Sequence, residues 1–393
     1  MKTPKKSPLF KKPQLVGTPF IESGTRDRFH ELIDGVFDRK YLTNHGPLVR
    51  KFEDKISKIY NGVYCSAICN GTLAQMLLMK ALGLKGEVIV PSFTFISTVH
   101  ACIWQGLKVV FSDILEDSMT IDPLKAERLI TPKTSAIIGV HLFGNMCDVE
   151  RLSLICKKRN IKLICDAAHA FNGNPDVKLA DKIGDGTFLS FHATKFLGTF
   201  EGGAVLANDI EIDRKIRKLR NFGFSNYDEV DEMGINGKMP ESSAAMGLAS
   251  LPMVRKRFGK EKKVWNAYAK NLEGIPGISI LSPEKMGRVN FHYFVILVDS
   301  GQFGVSTEKL SGILWEENVF PRRYFYPGCH KMEYYRRNRR SIRVGSLDVT
   351  ERMAGRVLCL PTNLENPHSD TKTIADIMRS VHFKAKERSV SDV

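Results

Sequence analysis

Between residues 63 and about 206 the chain alternates short apolar runs with amphipathic stretches. Three-residue runs such as Val88-Ile89-Val90 and Leu163-Ile164-Cys165 are apolar throughout, as strands buried on both faces are. The pattern predicts strands at Tyr64 to Ile68, Glu87 to Val90, Lys108 to Ser112, Ser135 to His141, Lys162 to Asp166, Thr187 to Phe191 and Ala204 to Ala207. Helices are expected between them, at Leu73 to Leu82, Ser97 to Trp104, Pro123 to Ile130 and Val149 to Arg159. Such alternation implies an α/β fold with a mostly parallel sheet covered by helices on both faces.

The flanks read differently. Residues 1 to 25 are polar and carry four prolines, which suits an extended arm. Apolar positions at helical spacing follow over 26 to 39 and over Leu48 to Tyr60, with Thr43-Asn44-His45-Gly46-Pro47 breaking the two helices apart. After residue 210 a charged helix is expected over 211 to 226, a small-residue helix over Pro240 to Leu251 and a long helix from Val254 to Leu272. A smaller α/β domain follows. Its expected strands are His292 to Val298 and Val357 to Leu360, and its helices Ser306 to Glu317, Thr350 to Arg356 and Asp370 to His382, before a frayed end. The division expected is an arm at 1–25, a large domain at 26–260 and a small domain at 261–393.

Composition changes this picture little. With 43% hydrophobic and 26% charged residues the 393-residue chain is ordinary globular material. No apolar run reaches membrane-spanning length, and the first residues lack an apolar leader core, so a cytoplasmic protein is expected. Eight scattered cysteines, without a CxxC pair, read as reduced and buried, and no metal site is expected. The net charge of +15 is spread along the chain without a nucleic-acid motif. A mildly basic surface explains it, and a small anionic substrate is compatible with it.

In an open α/β sheet the ligand site lies beyond the carboxyl ends of the strands. Asn70-Gly71-Thr72, Ser92-Phe93-Thr94-Phe95, Asp166 and Ser190 all fall at or just after such ends. Asn70-Gly71-Thr72 opening a helix offers backbone N–H groups to a phosphate, although the same triplet also reads as a simple helix cap. Phe95 could stack on a flat ring or fill the core. His169 follows Asp166 by three residues and serves as a hydrogen-bonding or structural group. Lys195, in Ser190-Phe191-His192-Ala193-Thr194-Lys195, would hold an aldehyde cofactor as a Schiff base if its pKa is depressed. Asp166 would then sit against a pyridine nitrogen and keep it protonated.

These motifs together resemble the sugar aminotransferases of the DegT/DnrJ/EryC1/StrS group. The matching segments are Leu42-Thr43-Asn44-His45-Gly46-Pro47-Leu48, Asn70-Gly71-Thr72, Val88-Ile89-Val90-Pro91-Ser92-Phe93-Thr94-Phe95, Asp166-Ala167-Ala168-His169-Ala170, Ser190 to Lys195, Glu201-Gly202-Gly203-Ala204 and Gly234-Ile235-Asn236-Gly237-Lys238-Met239. The resemblance covers roughly residues 15 to 385. It implies a fold-type-I enzyme dependent on pyridoxal 5′-phosphate, with Lys195 as the reacting amine and Asp166 as partner of the ring nitrogen. Phe95 would stack on the ring. Gly71, Thr72 and Ser190 would hold the phosphate, and Asn236 would reach it from a neighbouring subunit, making at least a homodimer with shared sites. His169 stands where many members have Gln. Relatives with His in place of the lysine perform dehydration, so Lys195 implies transamination.

The implied substrates are a nucleotide-diphosphate keto sugar and L-glutamate. Asn44, Tyr324 and His330 are the candidate substrate contacts, the last two in a segment (residues 320 to 330) that looks like the variable substrate loop of viosamine- and perosamine-forming members. A 4-keto-6-deoxyhexose linked to dTDP, or else to GDP or UDP, is the expected acceptor, for surface glycan or O-antigen synthesis. A 3-keto sugar, or an inactive member with a binding role, stands as the alternative.

Overall fold

The computed structural model describes residues 7–174, 177, 183–281 and 289–391. Its centre is an eight-stranded sheet. From one edge the strands are Ile342–Val344, Lys108–Ser112, Glu87–Pro91, Thr134–Val140, Lys162–Asp166, Gly186–Ser190, Gly203–Ala207 and Tyr64–Ile68. The first six run parallel, and Gly203–Ala207 is antiparallel to both of its neighbours.

The continuous apolar runs have a direct structural cause. Side chains alternate across a strand, so a sheet with helices on both faces must be apolar at every position. Val88 and Val90 pack into one buried cluster with Leu78, Val109 and Ile164. Ile89 between them packs into another, with Ile137, Leu163, Leu152 and Ile155. The helices Gly71–Ala81 and Ile96–Trp104 cover the first face, and Val149–Arg159 covers the second.

A second, three-stranded antiparallel sheet has the order Val357–Leu360, Phe294–Val298, Ile278–Ile280. Its core joins Phe294, Ile296, Leu358 and Leu360 to Val264 and Tyr268 of the helix Val254–Leu272, to Leu310 and Leu314 of Thr307–Glu316, and to Ile374 and Met378 of Pro367–Ser391. No described helix is long and apolar enough to cross a membrane.

The structure differs from the sequence reading at several places. The charged helix expected over 211 to 226 spans Ile210–Leu219. Phe222 and Gly223 have positive φ angles of 59° and 84°, which no helix accommodates. The C-terminal helix, expected over 370 to 382 with a frayed end, runs Pro367–Ser391. Two strand pairings among the described residues cross the division at residue 260. Ile342–Val344 leaves the C-terminal part to extend the large sheet beside Lys108–Ser112. Gln14–Leu15 of the arm pairs in parallel with Val319–Phe320. The arm's first six residues lie outside the described residues.

A buried ion cluster ties the helix Pro47–Ile59 to the sheet edge. Glu53 accepts from Arg220 at 2.6 Å and from Arg217 at 2.8 Å, and from the backbone N–H of Ala67 at 2.8 Å. Burial alone would raise the Glu53 carboxyl, but its hydrogen bond with His45 and the two guanidinium charges hold it far below the usual carboxylate range. A carboxylate whose folded-state pKa is depressed contributes stability above its unfolded pKa and loses it as pH falls. Glu53→Ala leaves Arg220 buried without its carboxylate, and is expected to lower the unfolding free energy by about 3–5 kcal/mol at pH 7. The deficit should shrink as pH falls below about 4, where the wild-type carboxylate begins to lose its advantage. Urea titrations of both proteins across pH check this.

Candidate active site

A cleft of about 700 Å³ opens beyond the carboxyl ends of the central strands. Its walls come from three regions: the strand ends of the large sheet, the segment Phe320 to Phe325, and the arm at Leu15 to Pro19.

The helix Gly71–Ala81 begins at the cleft. Asn70 caps it, its side chain accepting from the N–H of Leu73 at 2.8 Å. A helix start presents unpaired N–H groups and the positive end of the dipole, which suits a phosphate. Gly71 permits this geometry, since a Cβ there would lie 2.9 Å from the Ser190 Cβ. Gly203 permits it from below, since a Cβ there would stand 2.6 Å from the Asn70 backbone. Gly71, Thr72 and Ser190 all line the cleft.

Asp166 ends its strand, buried. The Thr98 hydroxyl donates to one carboxylate oxygen at 2.7 Å and the Ala168 N–H to the other at 3.0 Å. Burial pushes its pKa up despite these bonds and despite the charges of Lys195 and His141. Lys195, on the turn that follows Ser190, faces the same cleft. Burial lowers its pKa to about 8, with the Asp166 charge acting in the opposite direction. An amine of this kind is a usable nucleophile and proton carrier near neutral pH.

His169 lines the cleft and is held neutral, first by burial and then by the positive charges of Lys195 and His292. Its Nδ1 is buried without a hydrogen-bond partner. Phe95 also lines the cleft. The residue is 51% exposed, and its ring centroid lies 6.2 Å from that of Phe325.

The structure thus gathers Lys195, Asp166, His169, Phe95, Gly71, Thr72, Ser190 and Tyr324 around one space, Asp166 lying just beneath the lining residues. Three expected residues stand elsewhere. His330 is a correction. It is buried outside the cleft, with the Ser92 hydroxyl 2.6 Å from its Nδ1 and Glu351 3.1 Å from its Nε2, so both ring nitrogens are engaged in holding its loop to the sheet. Asn44, at φ 62°, and Asn236 are exposed and do not line the cleft of their own chain. Residues not singled out from sequence also line it, Trp315 and the arm residues Leu15 to Pro19, and Arg322 joins them from the segment expected to meet substrate. Thr98 was equally hidden, although its place three residues after Phe95 on a helix start is a detectable signal.

Residues 24–381 match the DegT/DnrJ/EryC1/StrS aminotransferase family. The chain belongs to this family. It is 38% identical over 358 residues to the dTDP-4-amino-4,6-dideoxy-D-glucose transaminase of Shigella dysenteriae, covering 90% of this chain and 96% of that one. A transaminase of the same name from Escherichia coli is 36% identical over 85% of this chain and 90% of its own length. Among solved structures, DesI in the presence of its TDP-sugar product superposes with a TM-score of 0.91 at 37% identity, covering 98% of this chain and 97% of that one. The fold is that of fold-type-I aminotransferases, and the enzyme is a pyridoxal phosphate-dependent transaminase.

The residues present fit that cofactor. The Gly71 cradle would be filled by any Cβ, the Asp166 carboxylate is buried beside the Lys195 amine, and the buried His169 Nδ1 lacks a partner.

Proposed function

We propose that this aminotransferase moves an amino group from L-glutamate to C4 of a dTDP-linked 4-keto-6-deoxyhexose, giving the 4-amino-4,6-dideoxy sugar. The observation that carries this reading is the cleft itself. Lys195 lines the same cleft as the Gly71 and Ser190 cradle, with the Asp166 charge acting on it, in a chain 38% identical to a dTDP-sugar transaminase over nearly its whole length.

Pyridoxal phosphate, when bound, supplies an aldehyde that carries the amino group and a ring that holds the electron pair left when a carbon loses its proton. The chain's own groups do the rest. Gly71, Thr72 and Ser190 would hold the phosphate. Phe95 would orient the ring, and Asp166 would favour a positive charge at the ring nitrogen. Lys195 Nζ takes and returns the proton, which its pKa of about 8 permits near neutral pH. Tyr324 and Arg322, which line the same cleft, suit a sugar and its diphosphate.

We further propose a cytoplasmic homodimer with shared sites. Asn44 and Asn236 are exposed and off their own cleft, and the loop between residues 222 and 235 exposes Phe222, Tyr227, Met233 and Ile235. Apolar side chains gathered in one exposed loop suit a partner surface. The product would feed a surface polysaccharide such as O-antigen. The name of a Bacillus subtilis relative, 32% identical, is spore coat polysaccharide biosynthesis protein SpsC, which supports that destination.

The test is a panel of dTDP-, UDP- and GDP-linked 4-keto-6-deoxy sugars incubated with enzyme, cofactor and glutamate. NMR of the product should place nitrogen on C4, with the dTDP sugar turned over fastest. Nitrogen on C3, or no amine from any sugar, overturns the reading.

A further inference from the structure

We propose that Arg257, Glu261 and His292 form a buried clamp that positions Lys195, acting on the reaction through the lysine without touching substrate. The inference rests on Lys195 being the reacting amine.

The turn carrying Lys195 is held from behind by its backbone carbonyls. His292 Nε2 lies 2.8 Å from the Thr194 carbonyl oxygen and therefore carries a proton to donate. Arg257 Nη1 donates to the Lys195 carbonyl at 3.1 Å and to the Phe196 carbonyl at 2.7 Å. Three successive carbonyls thus meet side-chain donors. The donors are themselves joined. Arg257 Nε donates to Glu261 Oε1 at 2.9 Å, and His292 Nδ1 lies 3.0 Å from the same oxygen and 3.1 Å from Arg257 Nη2. The Arg257 guanidinium lies over the rings of Phe196 and Phe20, at 5.2 and 5.3 Å.

All three residues are at most 3% exposed. A buried charged cluster is a poor way to gain stability, because desolvation offsets most of the attraction, and well-packed apolar residues often do as well. What apolar residues cannot do is fix three carbonyl oxygens at set distances. Arginine suits that task because its planar fork reaches two acceptors at once. The carboxylate of Glu261 orients both donors. Burial alone would raise its pKa, and Arg257 and His292 hold it below the usual value, so it stays charged.

The clamp also spans the molecule. Arg257 and Glu261 lie on the long helix Val254–Leu272. His292 stands just before the small-sheet strand Phe294–Val298, and its carbonyl accepts from the Thr362 hydroxyl at 2.7 Å. The lysine turn is therefore referenced to the small sheet as well as to its own strand.

The test uses the full chain carrying His292→Leu, His292→Gln, Arg257→Lys or Glu261→Gln. His292→Leu and Arg257→Lys are expected to lower kcat by about 10- to 100-fold with KM for the keto sugar held within about twofold, the signature of a displaced reacting group. His292→Gln, whose amide nitrogen can take the place of Nε2, should recover most of the loss. A second readout needs no turnover: acetylation of Lys195 in the cofactor-free protein, followed by mass spectrometry. Its rate should change several-fold in His292→Leu and return in His292→Gln. A His292→Leu protein that melts earlier yet keeps both the kcat and the labelling rate overturns the clamp. If His292→Leu does not fold, a folded Arg257→Lys or Glu261→Gln with wild-type kcat and labelling overturns it equally. Activity in a Lys195→Ala protein would instead overturn the assignment of the lysine, whatever these variants do.

Discussion

Lys195→Ala should leave a folded protein that turns over at least about 10³-fold more slowly, since the variant loses both the covalent anchor and the proton carrier. The size of the effect follows from the environment of the amine. An ordinary lysine, at 10.5, has roughly 0.03% free amine at pH 7, whereas one at about 8 has roughly 10%. Burial therefore raises the reactive fraction by roughly 300-fold, and alanine removes all of it. The sign of the pH dependence is fixed by the same shift. In the cofactor-free wild type, capture of an added aldehyde at Lys195 should climb about tenfold per pH unit up to about 8 and level off above it. Borohydride reduction and peptide mass spectrometry would locate the adduct. An adduct on another lysine, or a plateau reached only above pH 10, contradicts the assignment.

Asp166→Asn is expected to lower turnover by about 10²–10³-fold, the scale on which a single charged partner of a reacting system acts. The substitution keeps the shape and one of the two hydrogen bonds, from Thr98 or from the Ala168 N–H. It removes a carboxylate whose pKa burial has already raised, so the cofactor-free protein should change in stability by no more than about 1 kcal/mol. The cofactor should bind more weakly. A further consequence tests the coupling between the two residues. Asp166 is what raises the Lys195 pKa against burial, so without its charge the aldehyde-capture midpoint should move below about 8. A midpoint that rises, or an Asn variant with full turnover, would exclude Asp166 from the site.

Much of this site was legible before any coordinates. Strand interiors such as Leu163-Ile164-Cys165 are apolar at every position, and the strand ends put Asp166, Ser190 and Asn70 on one rim. What was hidden depends on distant pairing. Ile342-Arg343-Val344 follows a basic run and reads as surface. It becomes a strand only because Lys108–Ser112 offers an open edge. The same holds for Gln14–Leu15, two residues whose strand character comes from Val319–Phe320. His330 was misread for a related reason. A histidine in a segment rich in Arg and Tyr looks like a ligand group, and only the fold shows Ser92 and Glu351 occupying its nitrogens. The helix expected to 226 overran because Phe222 adopts positive φ, which composition does not signal.

The late strand has a temporal meaning. Val109 pairs with Ile342, so the ribosome must add more than 200 residues before the sheet gains its last member. At elongation rates of about 5–20 residues per second that interval is roughly 10–50 s. During it the backbone of Lys108–Ser112 is an unpaired template for any extended chain nearby. Each molecule therefore passes through an adhesive nascent stage, and the yield of enzyme in a cell is set partly by whatever shields that edge until the chain is complete.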